Sequence, residues 1–316
     1  MDLHALASAY SPKRAFDLEH AALPPNVVLC GKLIAAAWLI TGQLVYQRAE
    51  PVMFTGIAPG FAQGALFVQL TLFAQLLAIL TILCSAFFRS GCAALGMLIA
   101  GLCLLDQALF SNNRAFCAVV LIMLALGERG ALARAQVALV YGCAAADKLL
   151  SVDWRSGWFL RTFCSELCQV GELWSPGWSP GGALPLTCSL ARWMEVGPSF
   201  AALCSWLVIG TELALACGYA TRARWTATLA VLFHCGMLVL TGSTFGIFFY
   251  AGAACSVLVL DLARQPAPLG RAWPYLALVA LFAGPWLRPW FGAGLSLLAL
   301  ALAWQAWRPN RLRVAP

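Results

Sequence analysis

An all-α fold, a polytopic bundle of transmembrane helices with about eight to ten spans, is what this sequence predicts, and three observations predict it. Hydrophobic residues make up 62% of its 316 positions and charged residues only 10%, where a soluble domain is about half apolar and a quarter charged. The mean hydropathy is +0.81. The apolar residues fall into runs long enough to cross a bilayer, and Lys and Arg gather at the ends of those runs. That is the pattern of membrane topology and not of a phosphate-binding face, so the net charge of +7 points away from nucleic acid.

In chain order, residues 1–26 read as a short cytoplasmic lead. Leu3, Leu6, Phe16 and Leu18 suit an interfacial helix, and without an A-x-A exit the first apolar run is expected to remain as an anchor. Spans are expected near 27–47, 64–88, 92–111, 115–127, 132–151, 199–219, 225–242 and 244–262, a membrane core over 27–262. Two more, near 273–287 and 290–306, are separated only by Arg288 and Pro289. With the basic tail they form a C-terminal hairpin over 263–316.

With the N-terminus inside, the inner segments hold Lys13, Arg14, Lys32, Arg89, Arg129, Arg134, Arg222, Arg224, Arg264, Arg271, Arg308, Arg311 and Arg313. The outer segments hold Arg48, Arg114, Arg155, Arg161, Arg192 and Arg288, and Lys148 stays in the membrane. The bias places both termini in the cytoplasm of a cell with this chain in its plasma (inner) membrane. The longest outer segment, 152–198, begins with an amphipathic piece from Trp154 to Leu167 that suits the outer interface. The loop GELWSPGWSPGGALP follows, either a lid over an outward-facing site or a surface connector anchored by tryptophans.

Most of the thirteen cysteines lie in apolar runs, where cysteine behaves as a small hydrophobe. There is no CxxC, and no metal site is expected. Cys164, Cys168 and Cys188 fall outside the membrane, and one disulfide among them is open to any pairing.

Charges inside apolar runs are the candidates for chemistry. VALVYGCAAADKLLSVDWRSGW (Val137–Trp158) opens with small residues suited to close helix packing and then sets Asp147 beside Lys148. A lysine at the bilayer centre costs roughly 2.5 to 3.5 kcal/mol, so it has a partner or a use. Adjacent helical residues point about a hundred degrees apart, so Asp147 is not that partner. The amine either snorkels to the outer headgroups near Trp154, pairs with Asp153, or is desolvated as a neutral base. Glu212 and His234 lie mid-span, the histidine either packed or functional. Asp106, with Asn113 and Arg114 in the turn that follows, is either a polar turn at headgroup level or part of a site lining.

The run from Tyr141 through Ala144–Ala146, Lys148 and Asp153-Trp154 to Gly157 resembles a segment of the HTTM (horizontally transferred transmembrane) domain family, which includes vitamin K-dependent gamma-carboxylase. DQALFSNNRAF resembles that family's asparagine-rich turn, and TELALACGYATRARWTATLAVLFH its Glu-containing span and "FH" motif. The similarity covers roughly residues 30 to 260. It implies a membrane enzyme with gamma-carboxylase-like lyase or oxidoreductase chemistry, in which Lys148 is the amine base that deprotonates a quinone-derived, vitamin K-like hydroquinone. Glu212 and His234 would then be catalytic, with Asp106, Asn113, Arg114, Tyr141 and Trp154 around the substrate. A second expectation is a non-enzymatic partner of the sporulation-delaying-protein B type, which assists maturation or export of a secreted peptide or protein. A transporter is disfavoured, since no internal repeat is visible.

Overall fold

The computed structural model describes residues 23–40, 65–85, 87–105, 112–126, 130–173, 183–241 and 246–260. Those residues form eleven α-helices and one 3-10 turn, and no strand occurs among them. The chain divides into two compact units, Met1–Ala133 and Arg134–Pro316.

The first unit contains α1 (Pro25–Ile40), α2 (Ala65–Cys84), α3 (Phe88–Leu105) and α4 (Asn112–Leu126). The α2 helix ends where Ser85 takes a left-handed conformation (φ 60°), which breaks the helical ladder and lets α3 return beside it. Trp38, Ile34, Ile79, Ile82, Leu95, Ile99, Leu121 and Leu124 form the core. Two polar contacts fix the packing. Trp38 Nε1 donates to Gln75 Oε1 at 2.9 Å, and Arg89 Nη1 donates to the Ala125 carbonyl at 3.0 Å, where a cation meets the open carbonyls of the α4 C-terminus.

The second unit begins within α5 (Ala131–Leu150) and continues through α6 (Val152–Arg155), α7 (Trp158–Leu173), α8 (Ala183–Val196), α9 (Pro198–Thr221), α10 (Trp225–Thr241) and α11 (Gly246–Cys255), ending in a 3-10 turn at Ser256–Val259. Ser151 stops α5: its extended backbone breaks the ladder, and its hydroxyl accepts the Trp154 N–H as the cap of α6. Gly157 (φ 78°) turns the chain into α7, and a Cβ there would lie 2.4 Å from the backbone of Ala201 and Ala202. Only glycine lets this joint rest on α9.

The α7 and α8 helices form a hairpin closed by the Cys168–Cys188 disulfide, over a core of Cys164, Ala191, Met194 and Ala201. Of the three pairings open in the sequence, this is the one made. The outer segment is more helical than the sequence suggests, because α7 runs through Gly171 to Leu173 and α8 starts at Ala183. Residues 174–182 of the Pro/Gly/Trp loop lie outside the described residues, as do residues 1–22 of the lead, Asp106, and the expected spans at 273–287 and 290–306.

Among the described residues two helices, α2 and α9, are long and apolar enough to cross a membrane, and only 22% and 28% of their most apolar windows are buried. The core helix of a soluble protein would be mostly buried. Shorter apolar helices coincide with α1, α3, α4, the first part of α10, and α11 with its 3-10 extension.

Candidate functional site

The second unit assembles its polar groups along a seam between α5 and α9. Lys148 lies near the C-terminus of α5 and Tyr141 seven residues before it, a spacing that puts both on one face two turns apart. Glu212 and Tyr219 have the same spacing on α9. Lys148 meets Glu212 and Tyr141 meets Tyr219, so each step of seven forward on α5 is a step of seven back on α9. The helices run antiparallel with one register. The register continues beyond the break at Ser151, since Gly157 rests on Ala201.

The first rung is an ion pair. Lys148 Nζ donates to Glu212 Oε1 at 2.8 Å and to Oε2 at 2.9 Å, with the two side chains only 15% and 9% exposed. The ammonium also lies 3.5 Å from the Ala144 carbonyl and 4.9 Å from the centre of the Trp154 ring, a cation–π contact. Glu212 is the fifteenth of the 24 residues of α9, about 21 Å along the helix from Pro198. Lys148 is thus turned toward a neighbouring helix well inside its span, and neither Asp147 nor Asp153, both exposed, is its partner. Trp154 stacks on Phe159 at 4.6 Å, and Phe159 on Phe163 at 6.1 Å.

The second rung is aromatic. Tyr141 and Tyr219 stack with centroids 5.9 Å apart and planes 8° apart, and the Tyr141 hydroxyl is hydrogen-bonded to His234 Nε2. His234 is fully buried among Phe233, Phe248 and Phe249. Its Nδ1 has no hydrogen-bond partner among the described residues. Gly252 of α11 presses on the imidazole, where a Cβ would sit 2.3 Å from Nε2 and Cε1.

Of the residues singled out in the sequence, the fold brings Lys148, Glu212 and Trp154 into one contact, and Tyr141 and His234 into another. Asn113 and Arg114 belong to the first turn of α4 in the first unit. Tyr219 and Gly252 escaped the sequence reading. Tyr219 was signalled by its spacing of seven from Glu212, the same as that of Tyr141 from Lys148; Gly252 carried no signal. The small-residue run of α5 packs less tightly than its composition suggests. A Cβ on Gly142 would meet only Ala216, at an ordinary 3.8 Å, while Cys143 and Ala146 are exposed.

Chemically, the seam holds a cation and an anion that are little exposed and, beside them, a phenol bonded to an imidazole. A proton moving from Nζ to Glu212 leaves an uncharged amine, the form a base requires. No three His, Cys, Asp or Glu side chains gather as a metal site would need among the described residues. Comparison with protein families, curated proteins and solved structures returns no match for the chain.

Proposed function

We propose that this chain is a multi-pass inner-membrane protein of the HTTM type, with both termini cytoplasmic, whose Lys148–Glu212 pair deprotonates a lipid-soluble, quinol-like substrate. The observation that carries the reading is the bidentate pair of Lys148 with Glu212 between apolar helices. Support for the membrane comes from α2, which buries Thr71 and Gln75 beside Ala78, Ile79 and Ile82 while exposing Leu66, Leu70, Phe73, Leu77 and Leu80. The Cys168–Cys188 disulfide suits an oxidising compartment and supports an outer position for the α7–α8 hairpin.

In the proposed step Glu212 takes the proton from the Lys148 ammonium, and the freed amine lone pair accepts the phenolic proton of the substrate. Nζ returns to ammonium and the substrate leaves as phenolate. Trp154 holds the ammonium against its ring face and is itself backed by Phe159. The test is the ionisation of a short-chain naphthoquinol, followed by its absorbance in proteoliposomes at fixed pH. The wild-type protein is expected to raise the phenolate fraction of bound quinol, and Lys148→Met to abolish the rise. Equal phenolate with both proteins would end the catalytic reading.

One observation favours a second reading, a partner that assists maturation or export of a secreted peptide. The stapled hairpin leaves Trp158 and Trp193 exposed, large rigid rings of the kind that anchor interfaces. In that case Trp193→Ala weakens peptide capture while Lys148→Met leaves it unchanged.

A further inference from the structure

About 21 Å along α5 from Lys148, Arg134 stands in the second turn of the helix, and the register of the seam carries it to the turn between α9 and α10. Arg222 and Arg224 occupy that turn. Arg134 and Arg222 lie close enough to repel one another, and none of the three guanidiniums has a carboxylate partner among the described residues.

Arg222 alone is accounted for. It adopts a left-handed conformation (φ 56°) as the cap of α9 and sits at that helix's C-terminal carbonyls, where a cation is favoured. Arg134 and Arg224 are placed against the same rule. Arg224 immediately precedes α10 and Arg134 follows the start of α5, so each adds positive charge to the positive end of a helix dipole. Neither helix has an acidic residue in its first turn. Arg134 and Arg222, with Arg224 two residues further on, thus stand beside two helix starts with no carboxylate paired to them among the described residues. The turn is also rigid, with the Ala223 N–H bonded to the Gly218 carbonyl at 2.9 Å and no room for a Cβ between Gly218 and Thr226. Trp225, 43% exposed, projects beside it, as tryptophans do at headgroup depth.

We infer that Arg134, Arg222 and Arg224 form a binding site for the phosphate of an anionic phospholipid headgroup, with Trp225 against the glycerol and upper acyl region. The inference depends on the membrane reading and not on the chemistry at Lys148, which lies at the other end of the seam. Lipid is the source committed to, because the exposed indole next to the guanidiniums matches an amphiphile and not a free anion.

The test uses the full chain in detergent, with phosphatidylglycerol, phosphatidylcholine or inorganic phosphate added and retained lipid counted by native mass spectrometry. Phosphatidylglycerol is expected to be held in preference to phosphatidylcholine. Each guanidinium lost should weaken retention about fivefold, so Arg134→Gln with Arg224→Gln loses about twenty-five-fold. Arg134→Lys with Arg224→Lys should keep most of it. Should the double glutamine variant not fold, Arg224→Gln alone is expected to lose about fivefold. Equal retention of the two lipids, unchanged retention in the variants, or displacement of phosphatidylglycerol by millimolar phosphate would each overturn the inference. Quinol ionisation by Arg224→Gln should match wild type whichever way the lipid result falls.

Discussion

At the scale of single residues, His234 shows how a polar group is held in an apolar interior. It spends Nε2 on Tyr141, and α11 presses on the same part of the ring at Gly252. A methyl group at 252 would have to displace the imidazole or part the helices, and overpacking of this kind costs about 1 to 3 kcal/mol. Gly252→Ala is therefore expected to lower the melting temperature in detergent. The fault lies between two identified side chains, so it should couple. In the background of His234→Ala the same glycine substitution should cost much less. Additive losses would show that the clamp acts elsewhere. This contact could not be read from the sequence, because a glycine in an apolar helix looks the same whether a ring presses on it or not. Lys148 and Glu212 were legible for the opposite reason, since charge inside an apolar run is costly wherever it points and marks itself.

Among the elements, the α7–α8 hairpin carries the most constraint. Its cysteines are separated by 20 residues, and closing a loop of that size contributes about 3 kcal/mol in the chain-entropy picture. Behind the disulfide, burial raises the Cys164 thiol to about 11, with a smaller contribution from Cys204. The thiol therefore stays protonated at neutral pH, and its alkylation should be slow, rising about tenfold per pH unit. The sign for stability follows. The unfolded chain gives up this proton first, so the contribution is full at neutral pH and falls as pH rises from near 9.0 toward about 11. Cys168→Ser with Cys188→Ser is expected to lower the melting temperature and speed Cys164 labelling at pH 7.5, read by mass spectrometry with an iodoacetamide probe. Labelling as slow as wild type would mean that the hairpin core holds without its staple. Sequence reading saw this segment as one amphipathic piece and a loop, because glycine and proline at its middle masked the helical pattern resuming at Ala183. The start of the amphipathic piece and its cysteines were visible; the pairing needed coordinates.

For the whole molecule, the decisive pattern is where polarity faces. Helix α2 turns Thr71 and Gln75 inward beside Ile79 and Ile82, with Gln75 satisfied by the Trp38 indole, and presents a row of leucines and a phenylalanine outward. A globular protein in water does the reverse, whereas in lipid an outward leucine costs nothing and an unpaired amide is expensive. Composition made the all-helical fold legible at once, but it could not tell which face of each helix meets lipid, since α2 is apolar nearly all round. Phe73 and Leu77 lie near the middle of the exposed stripe and are 66% and 52% exposed. If the stripe meets lipid, each lysine placed there costs about 2.5 to 3.5 kcal/mol of insertion free energy. Phe73→Lys with Leu77→Lys is therefore expected to move the protein out of the membrane fraction or into degradation. Thr71→Val should have a far smaller effect on insertion. If the stripe met water, the two lysines would be ordinary surface substitutions and would improve solubility. Recovery of the double lysine variant as a folded protein in the soluble fraction would contradict the membrane reading on which both the lipid site and the proposed quinol chemistry depend.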